Sequence, residues 1–521
     1  GLGVFSLAYN LVKASGLENV YNTVKAQMLH KRALGAGIIA TLLAVFLGNL
    51  GQVGVVLTAW ERASVLLNDA NIILRVLDGG WRLVSGTAVS SLYPGDWFWI
   101  ATRAISINEG EVAPITEFPF FTFLYGDLHA HMISLPLTVL ALGWAISLAL
   151  EARLDNRPDS WLYMAVQWLI GGLAIGVLYP ANSWDYPTYV VIGGFAIFFY
   201  HWKKDGLALT VMGQALIKTV ILFLISLLTF WPFWANFGSG YSSISLWQGS
   251  YTTIGNYLTI YGLFLLVIIT FLAHDFRRWS RTWTTAGLQK AAVPVLIAVA
   301  ALYGLAIALV WLMGRGYEIV PLVLPLIAQS GVMAVWSNTS TPRRIVHTLI
   351  ASGLGLTLFV EIFVLDGDIG RMNTVFKFYM QVWILFSIAA GTATMWLWPT
   401  ISLEWSDTRR TIWKTAAAAL IFAALLYPIL ATRAKWTIRM DNNDQARITL
   451  DGLDFMRYVT YGDSGQDVPL NYDYDAIQWM YRNIEGSPVI AEAHSGNPYR
   501  SVGNRIATYT GLPAVVGWDW H

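Results

Sequence analysis

Apolar stretches of about twenty residues recur along this chain, and they constrain the fold more than any motif does. A helix needs about 20 predominantly apolar residues to cross a bilayer. Eleven segments qualify: 35–58, 132–150, 161–179, 188–202, 209–231, 257–273, 291–313, 319–337, 345–365, 377–398 and 411–431. The 188–202 segment is short, and residues 1–12 read as the tail of another helix. Only 12% of the 521 residues are charged, against about 25% in soluble chains. The 33 Lys and Arg balance 32 Asp and Glu, so the basic excess of a nucleic-acid binder is missing. The expected fold class is an all-α polytopic membrane bundle of about 11 transmembrane helices.

The loops between these segments give an orientation. One alternating set carries Lys25, Lys31, Arg32, Arg153, Arg157, Lys203, Lys204, Arg277, Arg278, Arg281, Lys290, Arg343, Arg344, Arg409, Arg410 and Lys414. The short loops of the opposite set carry Arg315, Arg371 and Lys377. By the positive-inside rule the first set faces the cytoplasm. Arg433 and Lys435, on the other side, are a mild counter-signal. The chain then reads as an integral, multi-pass protein of the cytoplasmic membrane. Three regions fall outside: the loop at 59–131, a group of short loops, and residues 432–521. Domain 1–431 is the membrane part, and 432–521 is an extracytoplasmic soluble part. The sequence opens and closes in mid-pattern, as expected for a segment of a longer protein.

Most polar clusters lie on that outer side. Residues 60–92 are amphipathic, with Leu66, Ile73 and Leu77 on one helical face, and predict interfacial helices. The run from Glu117 ends in Asp127-Leu-His129-Ala-His131. In an extended segment those three side chains share a side and can converge on one divalent ion. In a helix they diverge, and Asp127 is a cap. Contact with substrate without a metal is a third reading.

Two further loops stand out. In Asn182-Ser-Trp184-Asp185-Tyr-Pro187, turn chemistry and an interfacial aromatic explain everything except Asp185. The 366–377 loop holds Asp366, Asp368, Arg371, Asn373 and Lys377. Its carboxylates suit a divalent ion and its cations suit phosphate oxygens, unless the charges simply neutralise one another. Arg315, between Gly314 and Gly316, is a second phosphate candidate. Lys218 and Glu361 are nearly alone as ionisable residues deep in spans. There are no cysteines, and no phosphate-cradling Gly-rich signature occurs, so a nucleotide cofactor is not expected.

Beyond 432 the composition turns polar. Residues 473–484 form an amphipathic helix with Ile477, Met480, Tyr481 and Ile484 on one face, and 489–493 read as a strand. A small α/β domain is expected. Glu492, His494 and Arg505 are its candidates for reaching the membrane site.

The segments Glu117–His131, Asn182–Pro187, Asn373-Thr-Val-Phe-Lys-Phe-Tyr379 and Thr510-Gly-Leu-Pro with Gly517-Trp resemble the YYY family of uncharacterised polytopic membrane proteins of bacteria and archaea. The layout is also similar to membrane glycosyltransferases of the C type, which use polyprenyl-phosphate sugars. That similarity implies an extracytoplasmic site at the membrane boundary and a lipid-linked sugar donor. Asp127 or Glu117 would be the general base on an acceptor hydroxyl. Arg371, Lys377, Arg103 and Arg315 would meet the phosphate, with Asp185, Trp184 and Asn373 around the substrate. A divalent metal ion would sit at Asp127, His129 and His131, or at Asp366 and Asp368. The rival readings are a lipid or solute transporter and a non-catalytic subunit with membrane protein partners. No nucleic acid is expected, and membrane lipid is a partner in every case.

Overall fold

The computed structural model describes residues 1–16, 23–67, 69–126, 128–151, 160–206, 208–237, 243–283, 304, 307–308, 311–336, 338–440, 449–463, 466–492 and 502–515. Two compact units are present, Gly1–Lys435 and Trp436–His521.

The first unit is helical. It contains α1 (Leu2–Gly16), α2 (Thr23–Thr41, continued by one π-helical turn to Phe46), α3 (Gly51–Arg62), α4 (Ile72–Val84), α5 (Asp96–Trp99), α6 (Pro119–Tyr125), α7 (Ala130–Glu151), α8 (Trp161–Gly176) and α9 (Leu178–Asn182). It continues through α10 (Tyr186–Asp205), α11 (Leu209–Thr229), α12 (Trp231–Asn236), α13 (Ile254–Ser280), α14 (Val320–Val335), α15 (Thr341–Ile362), α16 (Met372–Pro399) and α17 (Asp407–Met440), whose residues from Trp436 on fall in the second unit. A two-stranded antiparallel ribbon pairs β1 (Ile244–Leu246) with β2 (Phe363–Leu365).

Among the described residues, eight helices are long and apolar enough to cross a membrane: α2, α7, α8 with α9, α11, α13, α15, α16 and α17. The expected eleven are therefore not all found. Helix α14 has only 16 residues, α10 is outside the eight, and the 291–313 segment lies largely outside the described residues.

The expected span at 35–58 is corrected. Its helix runs instead from Val24 to Phe46, and the chain turns extended at Leu47. The break is tolerated because its polar groups find partners on other elements. Gly48 N–H donates to Ala424 O at 3.2 Å, and Leu50 N–H to Thr259 O at 2.9 Å. The Asn49 side-chain amide donates to Ala101 O at 2.7 Å. Residues 51–62 then form α3, which crosses α4 at backbone contact. A Cβ on Gly79 would lie 1.7 Å from Trp60 O, so only glycine fits there. Asn71 caps α4 by accepting from Ile73 N–H at 2.8 Å. Ile73, Leu77, Trp81 and Val84 leave α4 with an exposed apolar face, as an interfacial helix requires.

Helix α16 is the axis of the bundle. Its apolar window is 83% buried, against 17% for α17 and 22% for α11 at the rim. Ala33, Ala36 and Ala40 place small side chains of α2 at helical spacing in the core, and at Gly391 a Cβ would lie 2.7 Å from Ala40 N. Close approach through small residues is how helices gain packing where lipid offers no hydrophobic drive. Trp383 Nε1 then donates to Leu43 O at 3.0 Å.

In the second unit, β3 (Thr460–Asp463) pairs antiparallel with β4 (Gln466–Pro469), followed by α18 (Asn471–Asn483) and the short α19 (Arg505–Thr510). The expected helix is present, with Ile477 fully buried against Met456 and Leu470. Of the expected strand at 489–493, the described residues show a single bridge, from Ile490 to Ala514. Glu492 accepts from the backbone N–H groups of Ile506 and Ala507, both at 3.0 Å, and Arg505 pairs with Asp473 at 2.7 Å. Both are thus bound within this unit. His494 lies outside the described residues.

Candidate functional site

The first turns of α7 and α16 and the 182–185 turn meet around one carboxylate, that of Asp185. The chain turns there because Asp185 N–H closes onto Asn182 O at 2.9 Å and Pro187 then opens α10. Asp185 is only 2% exposed. Asn182 Nδ2 donates to its carboxylate at 3.1 Å. Ser134, Gln381 and the Lys377 ammonium lie near enough to favour its charged form, while Ser134 Oγ donates to His131 O at 3.0 Å and Gln381 Nε2 to Trp184 O at 3.3 Å. Burial outweighs these favourable contacts and pushes the Asp185 carboxyl up to about 6. Lys377 lies in the field of both Asp185 and Asp368.

Asp368 is built into the start of α16. It accepts from Asn373 N–H at 3.1 Å, Asn373 Nδ2 at 3.0 Å, Thr374 N–H at 2.7 Å and Thr374 Oγ1 at 2.8 Å. This satisfies amide groups that a helix start leaves open. Gly367 and Gly370 supply the positive φ that the preceding turn needs. Asp366 points elsewhere, to the hydroxyls of Ser243 and Ser245, which hold its carboxyl below the ordinary range. Each carboxylate of the expected Asp366–Asp368 metal pair therefore has its own set of donors.

His129 closes the first turn of α7: its carbonyl accepts from Met132 and Ile133 N–H. His131 stands on that turn, its ring edge-on to Phe376 of α16 at 4.5 Å. The two imidazole rings are 5.7 Å apart, so the helical start has not driven them to opposite sides. Asp127 lies outside the described residues, as does most of the 236–243 loop. No group of three or more His, Asp or Glu positioned for a metal occurs among the described residues.

Arg371 is not an open phosphate contact. Its side chain is 1% exposed, pairs with Glu361 at 2.7 Å, and donates to Val360 O and Thr252 Oγ1. Glu361 also accepts from Thr252 N–H at 2.8 Å. A buried charge needs such full pairing, which explains why this loop arginine turns inward. Arg103 pairs with Glu117 at 3.2 Å and lies over the Trp99 ring. Burial draws the Arg103 pKa down, and the Glu117 carboxylate opposes that. Their segment reaches α16 through Ile115 N–H to Met372 O. Arg315 stacks on Trp311.

An apolar groove of about 620 Å³ opens beside the Asp185 cluster. Trp184 and Pro187 line its end near Asp185, and Phe195, Ile327, Phe359 and Phe378 line its length. The sequence singled out Trp184, Asp185, Asn373 and Lys377, and the structure gathers them. It did not single out Ser134 or Gln381. Their only signal is helical spacing, Ser134 three residues after His131 and Gln381 four after Lys377. It also passed over a buried cluster at the opposite, basic end, where Asp275 binds Arg343 and, at 3.0 Å, His347.

Together these features define a multi-pass helical membrane protein with a buried polar centre at one end of its bundle. The profile of the family described as Uncharacterized membrane protein (DUF2298) matches residues 1–386, and the chain belongs to that family. No curated protein and no solved structure matches it.

Proposed function

We propose that the protein is a membrane-embedded glycosyltransferase that takes its sugar from a polyprenyl-phosphate carrier at the extracytoplasmic face. The observation that carries this reading is the apolar groove whose end, at Trp184 and Pro187, flanks the buried Asp185 carboxylate and the Lys377 charge that acts on it. The polyprenyl chain lies in the groove, and Trp184 packs near the sugar. The acceptor hydroxyl oxygen bonds to the anomeric carbon as the carbon–oxygen bond to phosphate breaks. The hydroxyl proton passes to a carboxylate, and polyprenyl phosphate leaves.

Asp185 is the carboxylate best placed to take that proton, since a base poised near neutral pH is most effective. The Glu117–Arg103 pair belongs to the same end of the unit. Lys377 and Asn373 meet the leaving phosphate. Arg371 shapes the loop from within, through Glu361. A divalent ion would be held by His129 and His131 with Asp127, and would help neutralise the phosphate. The 5.7 Å ring separation is compatible with two imidazoles on one ion at about 2 Å from each nitrogen.

The test is transfer of labelled sugar from polyprenyl phosphate by purified, reconstituted protein. Asp185→Asn should lower the rate by at least about 100-fold at unchanged thermal stability or better. An unaltered rate in that variant removes Asp185 from the chemistry. Retention of bulk phospholipid and fixed protein partners, with no polyprenyl species, favours the subunit reading.

A further inference from the structure

A second groove, of about 790 Å³, lies between α13 and the start of α17, at the basic end of the bundle. Its two walls follow the same order. On α13, Leu266 and Ile269 are followed by Arg277 and Arg281 at helical spacing. On α17, Ile412 is preceded by Arg409. The lining thus runs from apolar to cationic in one direction, with four arginines (Arg278 is the fourth) against the single carboxylate of Glu404.

These arginines are presented outward. Arg277, Arg281 and Arg409 are exposed, and none forms an ion pair among the described residues. Arg409 is held flat on the Trp405 ring at 4.1 Å. Neighbouring Arg410 is engaged by Asp407 and Ser402 O, so the groove's arginine is the one left facing out. Arg409 also stands on the first turn of a 34-residue helix, at the positive end of its dipole. The two walls are tied by Trp413 Nε1 donating to Thr270 Oγ1 at 2.9 Å.

We propose that this groove is a binding site for one anionic phospholipid, with its phosphate among Arg277, Arg281 and Arg409 and its acyl chains along Leu266, Ile269 and Ile412. The charge selects an anionic head group, and the continuous apolar wall selects a lipid over a free anion. Arginine meets phosphate through paired N–H donors. The site is separate from the Asp185 centre and does not depend on the activity proposed for it.

The test uses the whole purified protein in mild detergent with added phosphatidylglycerol or phosphatidylcholine, read by native mass spectrometry. Wild type should retain phosphatidylglycerol and not phosphatidylcholine. The double variant Arg277→Gln, Arg409→Gln should retain it about 25-fold more weakly, at roughly fivefold per arginine. Lys203→Gln with Lys204→Gln, the same charge change on α10, should leave retention unchanged. Ala273→Trp, which fills the groove without altering its charge, should lose the lipid as the arginine variant does. Equal loss in both charge variants, or full retention in Ala273→Trp, would overturn the groove as the site. Displacement of the lipid by glycerol 3-phosphate at equal concentration would show a free-anion site instead.

Discussion

Glu361 and Arg371 meet at 2.7 Å with each side chain only 1% exposed, at the point where α15 hands the chain to α16. Removing one member leaves the other charged, buried and unpaired. Arg371→Leu should therefore destabilise the protein by about 3–5 kcal/mol. Thermal unfolding in detergent reads this directly, and the double variant Glu361→Leu, Arg371→Leu should recover much of the loss. If Arg371 were a phosphate contact instead, its loss would weaken substrate binding and leave the melting temperature in place.

Asp185 should make stability fall as pH rises. Its folded carboxyl sits at about 6, against 3.8 for an ordinary aspartate, so the folded state holds the proton more tightly. That contribution is complete below about 3.8 and is lost as pH climbs through 6, a change on the order of 3 kcal/mol. Melting temperatures measured from pH 4 to 8 should decline over this window in wild type and stay flatter in Asp185→Asn. Under the proposed function, turnover rises over the same window as the carboxylate forms.

Asp368 should act as a helix cap. Asp368→Ala removes the acceptor for the N–H groups of Asn373 and Thr374 and should cost about 1–2 kcal/mol. If capping is its whole role, any effect of EDTA on stability should be the same in wild type and in Asp368→Ala. A melting temperature that drops with EDTA in wild type but not in Asp368→Ala would restore the metal reading at this loop.

Gly391 should tolerate no side chain. A Cβ there meets the Ala40 backbone nitrogen at 2.7 Å and its Cα at 2.8 Å, so the neighbouring helix itself has to move. Gly391→Ala should destabilise by about 1–3 kcal/mol. The same change at Gly355, which has open space around it, is the control.

The bundle was legible because apolar length is a local property, visible without knowing what packs on what. The break after Phe46 was not, because 35–58 carries no charge and is interrupted only by Thr41, Asn49, Gln52 and Thr58, and the partners of Gly48 and Leu50 sit at Ala424 and Thr259. Lys377 and Asp185 could be named from their loops. Their meeting could not, since it depends on how the 182–185 turn sits against α16, where Gln381 Nε2 donates to Trp184 O at 3.3 Å. Arg371 misled for the opposite reason: a Gly-rich charged loop reads as exposed, and only the fold brings Glu361 beneath it. The C-terminal helix was readable from the spacing around Ile477. The strand after it was not, since the described residues 489–492 make a single bridge, from Ile490 to Ala514.

The extended turn at 47–50 gives the bundle a fixed joint. Its amides are tied to carbonyls on α13 and α17, and Asn49 is tied to the segment that carries Ala101. Prising those two helices apart here would strand polar backbone groups, each costing several kcal/mol where water cannot replace the lost partner. The knot therefore holds α13 and α17 in register at this level, and the Trp413–Thr270 hydrogen bond ties the same two helices again toward the basic end.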